Sequence, residues 1–175
     1  KPRAFREHPN LLAVRAALRS GRLGRPHFAR LSFRSAYDVY AAQPYLATDE
    51  RFILIDLGIH LLDVARVLMG EVESLLCTTA RINPRIRGED SATALLRHAG
   101  GAASVVDCCY ASRQQPDPFP QTLLQVDGDR GTLQLLEGYR LRIVDEAGLE
   151  ESSVEPAPPA WAQRPWHVLQ QSVLT

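Results

Sequence analysis

Residues 53–70, "ILIDLGIHLLDVARVLMG", carry Asp56, His60 and Asp63 in an otherwise apolar run. The apolar spacing predicts an amphipathic helix that stops at Gly70. With each helical residue advancing about 100°, the three polar side chains fall within an arc of roughly 60°. Ile53, Leu57, Leu61, Val64 and Leu68 fill the neighbouring arc and are expected to face the interior. The trio therefore borders the buried stripe, as residues at a cleft edge do. Three chemistries fit a histidine one turn from a carboxylate. It can be a satisfied pair on a structural helix, half of a metal site, or an acid–base couple whose carboxylate holds the imidazole tautomer. The metal reading is weak, because no cysteine or further histidine stands nearby. Gly58 costs a helix about 1 kcal/mol relative to Ala. Either it lets another group approach the backbone, or the helix starts near Ile55.

The elements that position these residues follow from local pattern. Asn10 reads as an N-cap, with Leu11, Val14 and Leu18 at helical spacing and Gly21 placed to end that helix. Ala29, Leu31 and Phe33 alternate with Arg30, Ser32 and Arg34, which is a strand. Residues 38–51 read as loop. After Gly70, strands are expected near 72–82, 90–98, 102–112, 121–127, 131–136, 139–145 and 149–154, with turns at Gly100-Gly101, in "VDGDRGTLQLL" and in "DEAGLE". Residues 154–165 are proline-rich and expected to be irregular, and a last helix is expected to begin at Trp166 and to be cut off at Thr175. Helix, strand, helix and then a series of hairpins predict an α+β fold: a largely antiparallel open sheet with helices packed on one face.

Composition narrows the function classes. At 175 residues the chain is read as a single α+β domain over 1–175. Its twenty basic and twenty acidic residues cancel, which leaves no overall footprint for nucleic acid or an anionic membrane. Arginines concentrate before residue 35 and carboxylates late, a pattern read as solvated surface. Cys77, Cys108 and Cys109 have neither metal nor disulfide-framework spacing, and are expected to be buried thiols. No run is long and apolar enough to span a membrane, so a cytoplasmic location is expected. There is no G-x-G-x-x-G and no P-loop.

The stretch "DLGIHLLD", Asp56 to Asp63, resembles the D-x-G-x-H-x-x-D signature of the Gfo/Idh/MocA oxidoreductases, the family of glucose–fructose oxidoreductase and inositol dehydrogenase. Upstream, "REHPNLLAVRAALRSGRLGRPHFARLSF" is similar to the family's passage into its second domain. Arg6, Pro9, Gly21 and Gly24 fall on its Arg, Pro and glycines. "GDRGTLQL", Gly128 to Leu135, resembles the family's G-[TD]-x-G-[ST]-L strand pair.

The resemblance implies the substrate-binding and oligomerisation domain of an NAD(P)-dependent oxidoreductase acting on a sugar, polyol or related small carbonyl compound. His60 would be the acid/base and Asp56 its partner, contacting substrate or holding the imidazole. Asp63 and Gly58 would support them, Asp63 through an ion pair with Arg66 or an arginine from elsewhere. NAD or NADP would be held by a Rossmann domain outside these residues, so the chain alone is expected to bind no cofactor and no metal, and to have no dehydrogenase activity. A homo-oligomer through the sheet is the expected partner. Two departures stand out. Lys1 is the only lysine. Arg6 follows Lys1-Pro2 too closely for that pair to be the family's Glu-Lys-Pro element, so it is read as accidental or as a join of non-adjacent segments. In addition, "RFILI" replaces a glycine pair common in relatives, and Phe52 and Ile53 are expected to narrow the pocket mouth. The alternative function is a non-catalytic ligand-sensing or interaction domain of the same fold. Tyr110, Arg113 and Gln121 lie near strand ends within reach of a ligand, although a surface or structural role is the plainer reading of each.

Overall fold

The computed structural model describes residues 8–154. Arg6, Lys1-Pro2 and the helix expected from Trp166 lie outside them. Helix α1 (Pro9–Arg19) leads into strand β1 (Pro26–Arg34). The short helix α2 (Val39–Ala42) and a 3-10 turn (Pro44–Ala47) follow. A π-helical turn (Leu54–Gly58) then runs without a break into α3 (Ile59–Met69). Seven further strands follow among the described residues: β2 (Val72–Ala80), β3 (Ser91–His98), β4 (Ala103–Cys109), β5 (Leu123–Gly128), β6 (Gly131–Leu136), β7 (Arg140–Asp145) and β8 (Gly148–Ser153).

All eight strands form one sheet in the order β2-β3-β4-β1-β5-β6-β7-β8. Only β1 and β4 pair in parallel, from Phe28 opposite Ala103 to Arg34 opposite Cys109. Parallel neighbours need a crossover rather than a hairpin. Here the crossover carries α3, which packs back onto β1 and β4, while α1 packs on β6. Both helices thus cover one face, as the sequence predicts. Ala29, Leu31 and Phe33 point into that layer and meet Leu57, Leu61 and Val64 in a single apolar core. The other face carries the polar partners: Arg34 pairs with Asp107 at 2.6 Å, and Arg140 and Arg142 reach Glu151.

Three local expectations are corrected. His8, not Asn10, caps α1: its Nδ1 accepts from the Asn10 amide at 3.3 Å, and Pro9 takes the first helical position, where its missing N–H costs nothing. Residues 38–51 are not all loop, because the Asp38 carboxylate caps a helical turn by accepting from the Tyr40 and Ala41 amides. Cys77 is exposed on edge strand β2, whereas Cys108 and Cys109 are buried. Burial pushes the Cys108 thiol up to about 12, so it stays protonated.

A buried histidine ties the sheet edge to the end of α3. His98 is fully buried, with Nδ1 2.8 Å from the Gly70 carbonyl and Nε2 2.7 Å from Ser104 Oγ. A carbonyl only accepts, so Nδ1 carries a proton and donates to it. Replacement of His98 by Leu should leave the Gly70 carbonyl and the Ser104 hydroxyl without that partner. A loss of roughly 1–3 kcal/mol is expected in urea unfolding.

Candidate active site

The polar trio sits where the helix changes geometry. The Ile59 amide reaches back to the Leu54 carbonyl, an i→i+5 bond that defines the π turn. Asp56 lies inside this wider turn and His60 in the regular helix after it, so the uniform 100° advance does not hold between them. Extra turns of this kind are frequent at functional sites. Gly58 explains part of the arrangement. It is buried at the turn, and an added Cβ would stand 3.1 Å from Leu54 Cδ2 and 3.8 Å from Cys108 Sγ on β4. The tight contact is with the Leu54 side chain of the same turn, whereas Cys108 would stand at ordinary van der Waals distance.

Asp56 and His60 are each half-buried, and they perturb one another. Burial raises the Asp56 carboxyl above its ordinary value, while the nearby His60 and Tyr110 oppose the rise. Burial also lowers His60 below 6.5, against the pull of Asp56 and Asp63. The imidazole is thereby kept neutral at physiological pH, the state needed to take a proton. Asp63 is buried at 6% exposure. Arg66 is not its partner, because that guanidinium grips both carboxylate oxygens of Glu71 at 2.7 and 2.8 Å.

A cleft of about 660 Å³ is lined in part by Tyr37, Tyr40, Asn83, Arg85, Tyr110 and Arg113; neither Asp56 nor His60 is among its lining residues. Its walls follow from the parallel pairing. β1 and β4 end at the same edge of the sheet, so residues 36–40 and 110–113 leave it side by side, joined by the Ser112 amide donating to the Ser35 carbonyl at 3.0 Å. The third wall is the loop between β2 and β3. Asp90, at 1% exposure, organises it by accepting from the Ile82 and Asn83 amides at 2.7 and 2.9 Å. Nothing in the run "RINPRIRGED" marked that loop as part of a site, because the role of Asp90 depends on backbone groups.

Of the residues at strand ends, the structure brings Tyr110 and Arg113 to the cleft and sends Gln121 elsewhere. Gln121 is buried and clamps the Leu136 carbonyl and the Tyr139 amide. Phe52 and Ile53 do not narrow the mouth either. They are 1% and 0% exposed, and Phe52 lies stacked under Tyr110 with ring centroids 5.6 Å apart.

Residues 11–134 match the GFO/IDH/MocA C-terminal domain. The chain belongs to the Gfo/Idh/MocA family. It is 50% identical over 170 residues to a D-apiose dehydrogenase of Rhizobium rhizogenes, covering 97% of this chain and 49% of that protein. Identity to a D-apiose dehydrogenase of Paraburkholderia graminis is 54% over 170 residues, covering 97% and 45%. An oxidoreductase from Agrobacterium radiobacter, crystallised in complex with NAD+, L-tartaric acid and magnesium, is similar with a TM-score of 0.87. Its identity is 50%, covering 98% of this chain and 50% of that one. The chain spans about half the length of the curated relatives it matches.

Within the Gfo/Idh/MocA domain, no group of three or more His, Cys, Asp or Glu side chains is placed to hold a metal ion among the described residues. No helix among them is long and apolar enough to cross a membrane. The lowered His60 pKa has a measurable consequence. As pH falls through 6.5, the unfolded chain protonates this histidine before the folded one does, so stability falls. Urea midpoints at pH 7 and pH 5 should drop more for wild type than for His60→Gln. That difference separates His60 from His8, which burial also lowers, and from Asp56, whose raised value acts in the opposite sense.

Proposed function

We propose that this chain is the substrate-binding and oligomerisation half of an NAD(P)-dependent sugar or polyol dehydrogenase. D-apiose is the first substrate to try. The observation that carries the reading is His60, lowered below its ordinary value beside Asp56 at the π turn, in a chain half-identical to two D-apiose dehydrogenases. The cleft's aromatic faces suit the C–H faces of a sugar, and Asn83, Arg85 and Arg113 offer donors for its hydroxyls.

Oxidation of an alcohol removes a hydride from carbon and a proton from oxygen. His60 takes the proton onto its imidazole, and the Asp56 carboxylate stabilises the imidazolium that results. The described residues include no phosphate-cradling glycine turn, so they do not fit the nicotinamide cofactor's pyrophosphate. That cofactor, held outside them, supplies the hydride acceptor when bound. His60→Ala in the full-length protein should lower kcat for D-apiose oxidation by about 100-fold or more with the fold intact. Turnover within a few-fold of wild type would sink the catalytic role. A wild-type protein that binds sugars without oxidising any of them would favour the ligand-sensing reading.

The open sheet face is the proposed oligomer surface. Leu76, Leu95 and Val105 lie side by side across β2, β3 and β4, and the first two are 74% and 51% exposed. Val106 and Cys108 of the same β4 strand are buried instead. Leu95→Glu should shift the protein toward monomer in analytical ultracentrifugation.

A further inference from the structure

We infer that Glu89 is a positioning residue: it ties the β2–β3 loop, a wall of the cleft, to the start of the turn that carries Asp56 and His60. The consequence for turnover rests on the dehydrogenase reading above, whereas the tie itself is geometry.

The first amides of a helical segment have no carbonyl within it to donate to, and one left buried and unpaired destabilises the segment. Ile53, at the head of the π turn, provides no side-chain cap. Glu89 fills that gap from further along the chain. Its carbonyl accepts from the Ile53 amide at 3.0 Å, and its carboxylate Oε1 accepts from the Leu54 amide at 3.3 Å. The next two amides, of Ile55 and Asp56, donate to the Phe52 carbonyl at 3.1 and 2.9 Å. A carboxylate also suits this end of a helix, where the aligned backbone dipoles leave positive charge.

Leu54 is the residue from which the π turn hangs. Its carbonyl accepts from the Ile59 amide in the i→i+5 bond, and Glu89 holds its amide. Asp56 lies inside that turn, and His60 follows the amide that closes it. A shift of Leu54 therefore moves one member of the pair relative to the other.

Close contacts on either side bring Glu89 to this place. An added Cβ at Gly88 would stand 2.8 Å from the Asp49 carbonyl oxygen and 2.9 Å from the Phe52 amide nitrogen, so only glycine lets the loop approach so near. On the other side, Asp90 holds the Ile82 and Asn83 amides with its carboxylate and accepts from the Tyr110 amide with its carbonyl. Asn83, Arg85 and Ile86 of the same loop line the cleft. A ligand settling against them loads the loop that caps the turn, although neither Asp56 nor His60 lines that cleft.

Substitutions at Glu89 in the full-length protein test this. Glu89→Ala deletes the carboxylate and keeps the backbone carbonyl. Peptides spanning residues 53–60 should then exchange about fivefold faster in hydrogen–deuterium exchange mass spectrometry, with peptides over β5 unchanged. With NAD+ and D-apiose, kcat should fall by about tenfold, with a smaller rise in KM. Glu89→Gln keeps an acceptor oxygen and should recover most of both losses. Glu89→Asp keeps the charge but withdraws the oxygen by one methylene. It should resemble the Ala variant, and it covers the case in which that variant folds poorly. Unchanged exchange over 53–60, a Gln variant as impaired as Ala, or faster exchange with kcat unmoved in an active enzyme would each overturn the proposal. Faster exchange in a protein whose wild type oxidises no sugar would support the tie and remove the dehydrogenase reading instead.

Discussion

A single parallel pairing in an otherwise antiparallel sheet organises this domain. Because β1 and β4 run the same way, the chain must leave the sheet between them and return, and the return path holds α3 against both strands. The same constraint brings both strand ends to one edge. The segments after β1 and β4 therefore become facing walls of a cleft. An antiparallel pair at this place would send one of those segments to the opposite edge.

The acid–base pair gains its character from partial burial. Half-buried, Asp56 is raised and His60 lowered, and each moderates the other. Two buried polar groups of the domain are fully engaged. Asp90 takes two loop amides, and His98 joins the Gly70 carbonyl to the Ser104 hydroxyl. These contacts fix the frame, so that a few half-exposed groups face the cleft.

Much of the architecture was legible in the sequence because it depends on local pattern. Alternating Ala29, Leu31 and Phe33 specify a half-buried strand, and positive-φ glycines sit at the hairpins around Gly101 and Gly148. The trio on the helical segment 54–69 was visible for the same reason. The π turn was not, since the bonds that distinguish it from an α-helix leave no mark in apolar spacing. Phe52 looked like an obstruction at the mouth and proved to be the floor beneath Tyr110, because periodicity says that a side chain is buried but not what it lies against. Asp90 was obscured likewise: its partners are backbone amides of its own loop, Ile82 and Asn83, which side-chain patterning does not reveal.

The most direct test of the account is a crystal structure of the full-length protein with NAD+ and D-apiose. The account predicts the sugar in the cleft against Tyr110, with the reacting hydroxyl about 2.6–3.2 Å from a ring nitrogen of His60. A sugar bound elsewhere, or bound in the cleft with its reacting hydroxyl on another base and His60 untouched, would contradict it.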